Sequence, residues 1–129
     1  MDCIARDLLS VIPLFVWQKD CEGRYKYANP AFCAWVGRSV DDVLGRTDHE
    51  IWDEATANQL AADEERVALR GTSLQKQSMV NVEGRQVWVE YRLSPVINAK
   101  GEVVAIAGVG DDITEREELE GQLASALDT

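Results

Sequence analysis

The residues of this chain best suited to a zinc site or to thiol chemistry are one histidine and three cysteines. His49 is the only histidine, and Cys3, Cys21 and Cys33 follow no CxxC or Cys/His spacing. A structural zinc site needs four ligands at close, regular spacings, so we expect reduced thiols and no metal centre. The sequence also contains no paired nucleophile and base and no phosphate-binding loop, and it therefore predicts no catalytic residues and no enzyme.

His49 lies in a segment with the features of a helix start. Residues Thr47 to Glu50 fit the S/T-x-x-E capping box, in which a hydroxyl and a carboxylate satisfy two free backbone N–H groups. Asp53 can cap the next helix, which we predict from Glu54 to Arg70. Most of the acidic residues of this helix lie off its apolar stripe, on the side that faces water. We therefore expect His49 to be a partly exposed surface residue.

The composition excludes several classes of function. The 129 residues suit one globular domain, and the net charge of −10 argues against nucleic acid as a partner, because phosphate contacts need clustered lysine and arginine. No apolar run approaches the roughly 20 residues that cross a bilayer. The N-terminus lacks a basic region before its apolar stretch, so we predict no signal peptide, no direct membrane insertion and a cytoplasmic location.

The hydrophobic periodicity predicts helices at both ends of the chain and strands in two groups. DCIARDLLSVI reads as an amphipathic helix, LFVWQKD and RYKYAN as a hairpin, and Asn29-Pro30 and Ser39 as helix starts. SLQKQSMVNV, RQVWVEYRLSPVI and EVVAIAGVGDD read as an antiparallel meander. Thr114 and Glu117 fit a second capping box. We predict a flanking helix over residues 1–12, a core over 13–113 and a C-terminal signalling or linker helix over 114–129.

Four segments carry a family resemblance over roughly residues 11 to 120: WQKDCEGRYKYANPAF, LGRTDHEIW, GRQVWVEYRLSPV and GEVVAIAGVGDDITEREELE. Together they resemble the PAS/PAC sensory domain of bacterial signal-transduction proteins. The resemblance implies an α+β fold, a five-stranded antiparallel sheet with helices on one face, flanked by the N-terminal and C-terminal helices. It also implies a regulatory input module that senses a small ligand, or relays a conformational signal through dimerisation. Its effector, a histidine kinase, a diguanylate cyclase or similar, would follow C-terminal to this chain.

Members of the family that bind different cofactors use different residues, and this chain can be compared with each type. Light-sensing flavin members use a cysteine in the short helix before the long one, and TDHEIW has none; common haem members use a histidine on the long helix, where this chain has none. A domain without a cofactor, or with a small ligand, is the first interpretation. The alternative is a redox sensor with non-covalent flavin (FAD), because tryptophan rings suit flavin stacking. Trp17, Trp35, Trp52 and Trp88 can equally be core and interface anchors.

Three sets of site residues follow from the implied fold. The candidate ligand pocket comprises Trp17, Phe32, Trp35, Trp52, Leu60, Gln77, Met79, Val89, Tyr91, Ile106 and Gly108. The candidate transmission residues, between the last strand and the exit helix, are Asp112, Ile113 and Thr114. The candidate homodimer interface, formed by the N-terminal helix and the opposite face of the sheet, comprises Ile4, Leu8, Leu9, Trp88, Ala105 and Ala107.

Overall fold

The structure, a computed structural model, describes residues 3–127, and side chains from residue 7 to 127. The predicted helix ends at residues 1, 2, 128 and 129 and the side chain of Ile4 lie outside that part. No helix of the described part is both long and apolar enough to cross a bilayer. The elements in chain order are α1 Cys3–Val11, β1 Phe15–Asp20, β2 Tyr25–Ala28, α2 Pro30–Val36, α3 Val40–Val43, α4 Asp48–Ile51, α5 Glu54–Arg70, β3 Leu74–Val82, β4 Arg85–Ile97, β5 Val103–Asp112 and α6 Thr114–Leu127.

Two helices, α2 and α5, begin at side-chain caps that the sequence predicts. The Asn29 side chain accepts from the Phe32 N–H at 3.0 Å, and Asp53 accepts from the Thr56 N–H at 3.0 Å. Each bond satisfies one of the N–H groups that a helix start leaves free. Helix α5 ends at Gly71, whose φ of 63° is a left-handed conformation that glycine adopts without a steric penalty. The predicted bounds of the long helix, Glu54 to Arg70, are confirmed.

The five strands of the described chain form one antiparallel sheet in the order β2-β1-β5-β4-β3. The first and last strands are therefore neighbours, with Phe15 opposite Gly110 and Trp17 opposite Gly108. Helices lie against one face, and the largest core residues lie between them and the sheet. Phe32 on α2, Val43 on α3 and Leu93 on β4 are 1%, 0% and 0% exposed. The predicted α+β fold is confirmed.

The other face of the sheet keeps part of its apolar surface exposed. Met79 on β3 and Val109 on β5 are 40% and 42% exposed. Helix α1 contacts the start of α2, where the Asn29 side-chain amide donates to the carbonyls of Leu9 and Leu14 at 3.2 and 2.8 Å. Leu8 on α1 is 60% exposed. The described side chains of α1 therefore leave apolar surface free both on the helix and on the sheet.

Candidate functional site

A small apolar cavity lies between the sheet and the helices. Its volume is about 20 Å³, which is room for roughly one water molecule. Its wall comprises Phe15, Trp17, Tyr25, Phe32, Trp35, Trp52, Leu60, Val80, Val89, Tyr91 and Gly110. Side chains, mostly aromatic rings, thus fill the space in which the resemblance places a ligand.

The predicted pocket residues divide into three groups in the structure. The wall of the cavity includes Trp17, Phe32, Trp35, Trp52, Leu60, Val89 and Tyr91. Ile106 and Gly108 on β5 are buried beside the wall without lining it. Gln77 and Met79 on β3 are exposed, and their assignment to the pocket is wrong.

The error at β3 is one of strand register. Ser78 lies opposite Val89 and Val80 lies opposite Val87, so Ser78 and Val80 share the helix-facing side with these buried valines. Side chains alternate along a strand, and a shift of one residue moves every side chain to the other face. Gln77 and Met79 consequently belong to the outer face.

Gly108 makes room for an aromatic ring. A Cβ placed on Gly108 would lie 2.1 Å from Cε2 of Trp17, far inside van der Waals contact. The sequence left open whether this glycine admits a ligand or a bulky neighbour, and in this structure the neighbour is the Trp17 indole. The ring lies farther from Gly110, since a Cβ there would be 3.3 Å from the nearest Trp17 ring atom.

Trp35 is the wall residue with an unused polar group. Its ring stacks on Phe15 at 4.1 Å between centroids and meets Trp52 edge-on at 5.4 Å. Among the described residues, Trp35 Nε1 is a buried side-chain nitrogen without a hydrogen-bond partner. A buried N–H without a partner costs about 1–3 kcal/mol. An acceptor atom of a ligand in the cavity would remove that cost.

A buried ionic cluster lies next to the cavity, and sequence reasoning missed it. Lys19 on β1 is 1% exposed and its Nζ contacts both Asp48 Oδ2 and Glu64 Oε1. The Tyr25 hydroxyl donates to Asp48 Oδ1 at 2.6 Å and accepts from Trp52 Nε1 at 3.3 Å. The cluster therefore joins β1, β2, α4 and α5, and it places two carboxylates on one lysine.

Burial dominates the electrostatics of this cluster. Loss of water raises the pKa of Glu64 above its usual value, although the charge of Lys19 opposes the change. Burial, and then the negative charge of Asp48, hold the pKa of Tyr25 well above the ordinary value. Tyr25 is consequently a neutral donor at physiological pH, and its proton stays on the hydroxyl that binds Asp48.

A second polar cluster attaches α5 to strands β3 and β4, at the other end of the strand order from β1 and β2. Asp63 accepts from the Tyr91 hydroxyl at 2.5 Å and pairs with Lys76 at 3.0 Å. Gln59 donates to Ser78 at 2.6 Å and to the Tyr91 hydroxyl at 3.2 Å. Burial raises the pKa of Tyr91. Asp63 and Glu64 are adjacent on α5. The Glu64 carboxylate therefore fixes one turn of α5 to β1, and the Asp63 carboxylate fixes the same turn to β3 and β4.

Two of the predicted transmission residues, Ile113 and Thr114, bond directly to Trp88 in the first half of β4. The Ile113 N–H donates to the Trp88 carbonyl at 2.9 Å, and the Trp88 N–H donates to Thr114 Oγ1 at 2.9 Å. Thr114 also donates through its hydroxyl to Asp112 at 2.6 Å. The hydroxyl expected to cap α6 thus bonds β4 instead. Trp88 lies next to Val89, which is in the cavity wall.

The other residues with possible chemistry have ordinary surroundings. His49 is exposed and its Nε2 lies 3.1 Å from Asn58 Oδ1. Glu50 accepts from the Thr47 N–H at 3.2 Å, and this bond lowers the pKa of the Glu50 carboxyl. Cys21 is exposed and Cys33 buried, both as free thiols. Within the described residues, no group of three or more His, Cys, Asp or Glu side chains is arranged to hold a metal ion.

The candidate interface residues differ in accessibility. Leu8 is exposed, Leu9, Trp88 and Ala107 are half-buried, and Ala105 is buried. Helix α6 adds Leu119, Leu123 and Leu127, which are 57%, 62% and 77% exposed. These residues give the molecule apolar surface at α1, on the outer sheet face and along α6.

Comparison with known proteins places this architecture among sensory domains. A family model described as PAS fold matches residues 9–118. A diguanylate cyclase of Vibrio cholerae serotype O1 is 29% identical over 126 residues, which cover 95% of this chain and 39% of that protein. The PAS domain of Bordetella pertussis BvgS superposes with a TM-score of 0.75 at 29% identity, over 97% of this chain and 95% of that one.

A third similar structure belongs to a longer receptor. An RNA-binding light-oxygen-voltage receptor superposes with a TM-score of 0.80 at 25% identity, covering 98% of this chain and 37% of the receptor. The chain therefore spans about two fifths of the length of both the cyclase and the receptor. In these two proteins the matching part accompanies other sequence.

Proposed function

The chain belongs to the PAS fold family, and from that premise we propose that it is a sensory input module that binds a small ligand in the cavity and passes the change to an effector through α6. The observation that carries the proposal is the bonding of Trp88. Its carbonyl and N–H bond Ile113 and Thr114, while its neighbour Val89 lines the cavity. A displacement of β4 by a ligand would act directly on the first turn of α6.

The filled cavity defines what a ligand must do. A space of about 20 Å³ admits no organic ligand unless rings move, so binding and conformational change are coupled here. A ligand changes the output only if it binds one conformation better than the other. The apolar wall and the free N–H of Trp35 favour a small, uncharged, planar molecule with one hydrogen-bond acceptor.

A non-covalent flavin, the alternative, would require a larger rearrangement of this space than a small ligand would. The indoles of Trp17, Trp35 and Trp52 occupy the space between sheet and helices instead of flanking an open slot. An isoalloxazine ring would have to displace several of them at once. We therefore propose the small-ligand module and not the flavin sensor.

The effector and the assembly form the second part of the proposal. The similar cyclase from Vibrio cholerae supports an effector of the diguanylate cyclase type, and residues 114–129 are then the linker that leads to it. Two copies of the module would pair through α1 and the outer sheet face. The exposure of Leu8, Met79 and Val109 supports this pairing, because soluble domains seldom leave a large apolar patch uncovered.

The ligand proposal is tested with two probes that differ in one atom. Quinoline carries an acceptor nitrogen, and naphthalene has the same shape without it. Quinoline is expected to bind about fivefold more tightly, as one hydrogen bond of roughly 1 kcal/mol predicts, and to shift the Trp35 indole N–H resonance in ¹⁵N NMR spectra. The backbone N–H signals of Trp88 and Ile113 should shift with the same titration curve.

The control removes the indole N–H together with its five-membered ring, so it is judged by the preference between the two probes and not by the affinity for either. In Trp35→Phe the preference for quinoline over naphthalene is expected to vanish. Equal affinity for both probes in the parent protein would contradict the role of Trp35. Binding without any change at Trp88 and Ile113 would contradict the route to α6.

The homodimer is tested by light scattering. The parent protein is expected to dimerise at micromolar concentrations, and Leu8→Glu together with Trp88→Glu is expected to give a folded monomer, because charges would enter the apolar contact. Val40→Glu is the matched control, since Val40 is 45% exposed on α3, away from the proposed interface. A parent protein that stays monomeric at high micromolar concentration would overturn the proposal.

A further inference from the structure

Helix α5 carries a second stripe, in which Glu64 bonds the buried Lys19 and the other four residues are exposed. The core stripe comprises Thr56, Ala57, Leu60, Asp63 and Val67, all buried. A separate face, at the spacing i, i+3, i+4, i+7, i+8, comprises Ala61, Glu64, Glu65, Ala68 and Leu69. Leu69 is 80% exposed, and both alanines are exposed. This spacing is the one by which a helix presents an apolar seam to another element.

This second face forms one wall of a groove. The opposite wall is the β1–β2 turn at Asp20 to Gly23, and the floor is the start of β5, from Val103 to Ile106. The groove has a volume of about 540 Å³, far larger than the internal cavity. The Asp20 side chain accepts from the N–H groups of Glu22 and Arg24 at 2.9 and 3.0 Å, so the turn is held in shape.

The charged side chains that line the groove in the described part of the chain are all acidic, namely Asp20, Glu22, Glu64 and Glu65. Glu64 is already paired with the buried Lys19, so Glu22 and Glu65 are the exposed acids that are left to face a partner. A groove with an apolar floor and an acidic rim is complementary to a basic, partly apolar surface.

We propose that this groove docks a basic amphipathic helix of a protein partner. Ala61 and Ala68 lie one heptad apart and have small side chains, so the backbone of a second helix can approach α5 closely. Leucine-like side chains of the partner contact Leu69 and the floor of β5. Its lysines or arginines face Glu22 and Glu65. The groove shares no lining residue with the cavity between sheet and helices and shares only Ala105 with the proposed dimer interface, and it does not depend on a ligand.

The test uses two synthetic peptides of identical composition. The first is a 14-residue helix of leucine, alanine and lysine with leucines at i, i+3, i+4 and i+7, and the second has its leucines scattered around the helix. The patterned peptide is expected to bind the parent protein at least tenfold more tightly in fluorescence anisotropy. Its affinity should fall with added salt, because the rim contacts are charge pairs.

Matched substitutions locate the binding site. Glu65→Lys and Leu69→Gln are expected to weaken binding of the patterned peptide about tenfold each, a loss typical of a central interface contact. Glu120→Lys and Leu119→Gln make the same chemical changes at exposed positions on α6 and are expected to change affinity less than twofold.

Three outcomes would overturn the proposal. Equal binding of the two peptides would show attraction to net charge alone. Equal losses in the α5 and α6 variants would place the contact outside the groove. Self-association of the parent protein that Leu69→Gln abolishes would assign the groove to a second copy of this chain.

Discussion

Replacing Lys19 by methionine is expected to lower the free energy of unfolding by about 3–5 kcal/mol, the usual loss when one partner of a buried ion pair is removed. Lys19 is 1% exposed and is the cation that Asp48 and Glu64 share. Without it, two carboxylates would lie together in a site largely closed to water, where charge is costly. Chemical denaturation followed by tryptophan fluorescence measures the change.

The matched control is Lys26→Met. Lys26 on β2 is exposed, and its loss is expected to change stability by less than about 0.5 kcal/mol. Adding Asp48→Asn and Glu64→Gln to Lys19→Met should recover part of the loss, because the uncompensated charges are then gone. A loss for Lys19→Met no larger than that for Lys26→Met would contradict the interpretation of the cluster.

The pH dependence of the cluster has a defined sign. Burial raises the pKa of Glu64 in the folded protein above its unfolded value, so at a pH between these two pKa values the folded state holds a proton that the unfolded state has lost. This contribution to stability is present below the unfolded pKa and is lost as the pH rises through the folded pKa. Removing Lys19 takes away the charge that lowers the pKa, and the Lys19→Met protein should therefore regain stability on mild acidification.

Gly108→Leu is expected to destabilise the protein by about 1–3 kcal/mol through overpacking. The first added carbon would already lie 2.1 Å from the Trp17 ring, which packs against Phe32 at 5.5 Å between ring centroids and would have to shift. Thermal unfolding measures the effect. Gly121→Leu is the control: nothing lies within 4 Å of a Cβ at Gly121 on α6, and leucine favours a helix more than glycine does.

A double substitution separates crowding from other causes. Trp17→Ala alone should destabilise by opening a cavity, as large-to-small core substitutions do. In that background Gly108→Leu should cost much less, because the ring it collides with is absent. Additive losses in the double variant would mean that Gly108 and Trp17 do not compete for the same space.

The sequence predicts the elements of this fold because their signals are local. Asn29 and Asp53 cap helices within three residues of themselves. The strand order depends on contacts between distant parts of the chain, and no local signal in the sequence predicts that β1 lies next to β5. The wall residues on β1 and β4, such as Trp17 and Val89, followed from alternation together with the family resemblance.

Two parts of the site lacked such signals. In LQKQSMVNV both faces carry polar residues, so the alternation of apolar side chains does not fix which side of β3 faces the helices. The inward side includes Lys76, whose charge is balanced by Asp63 on α5. Lys19 is a similar case, since its partners Asp48 and Glu64 lie 29 and 45 residues away. From sequence alone, a lysine in a strand is expected to have an exposed side chain, because its ion-pair partners are not known.

The strand order also determines when the domain can fold during synthesis. Strand β1 has β2 on one side and β5 on the other, while β3 and β4 form a hairpin at the far edge. Until β5 has left the ribosome, the two hairpins have no strand between them, and Trp17 and Leu93 have no Gly108 to pair with. Joining β1 to β5 closes a loop of nearly the whole core, which is entropically costly and slow. A nascent chain that stalls before Val103 therefore exposes two unpaired strand edges and an open aromatic core, which chaperones recognise and which promote aggregation.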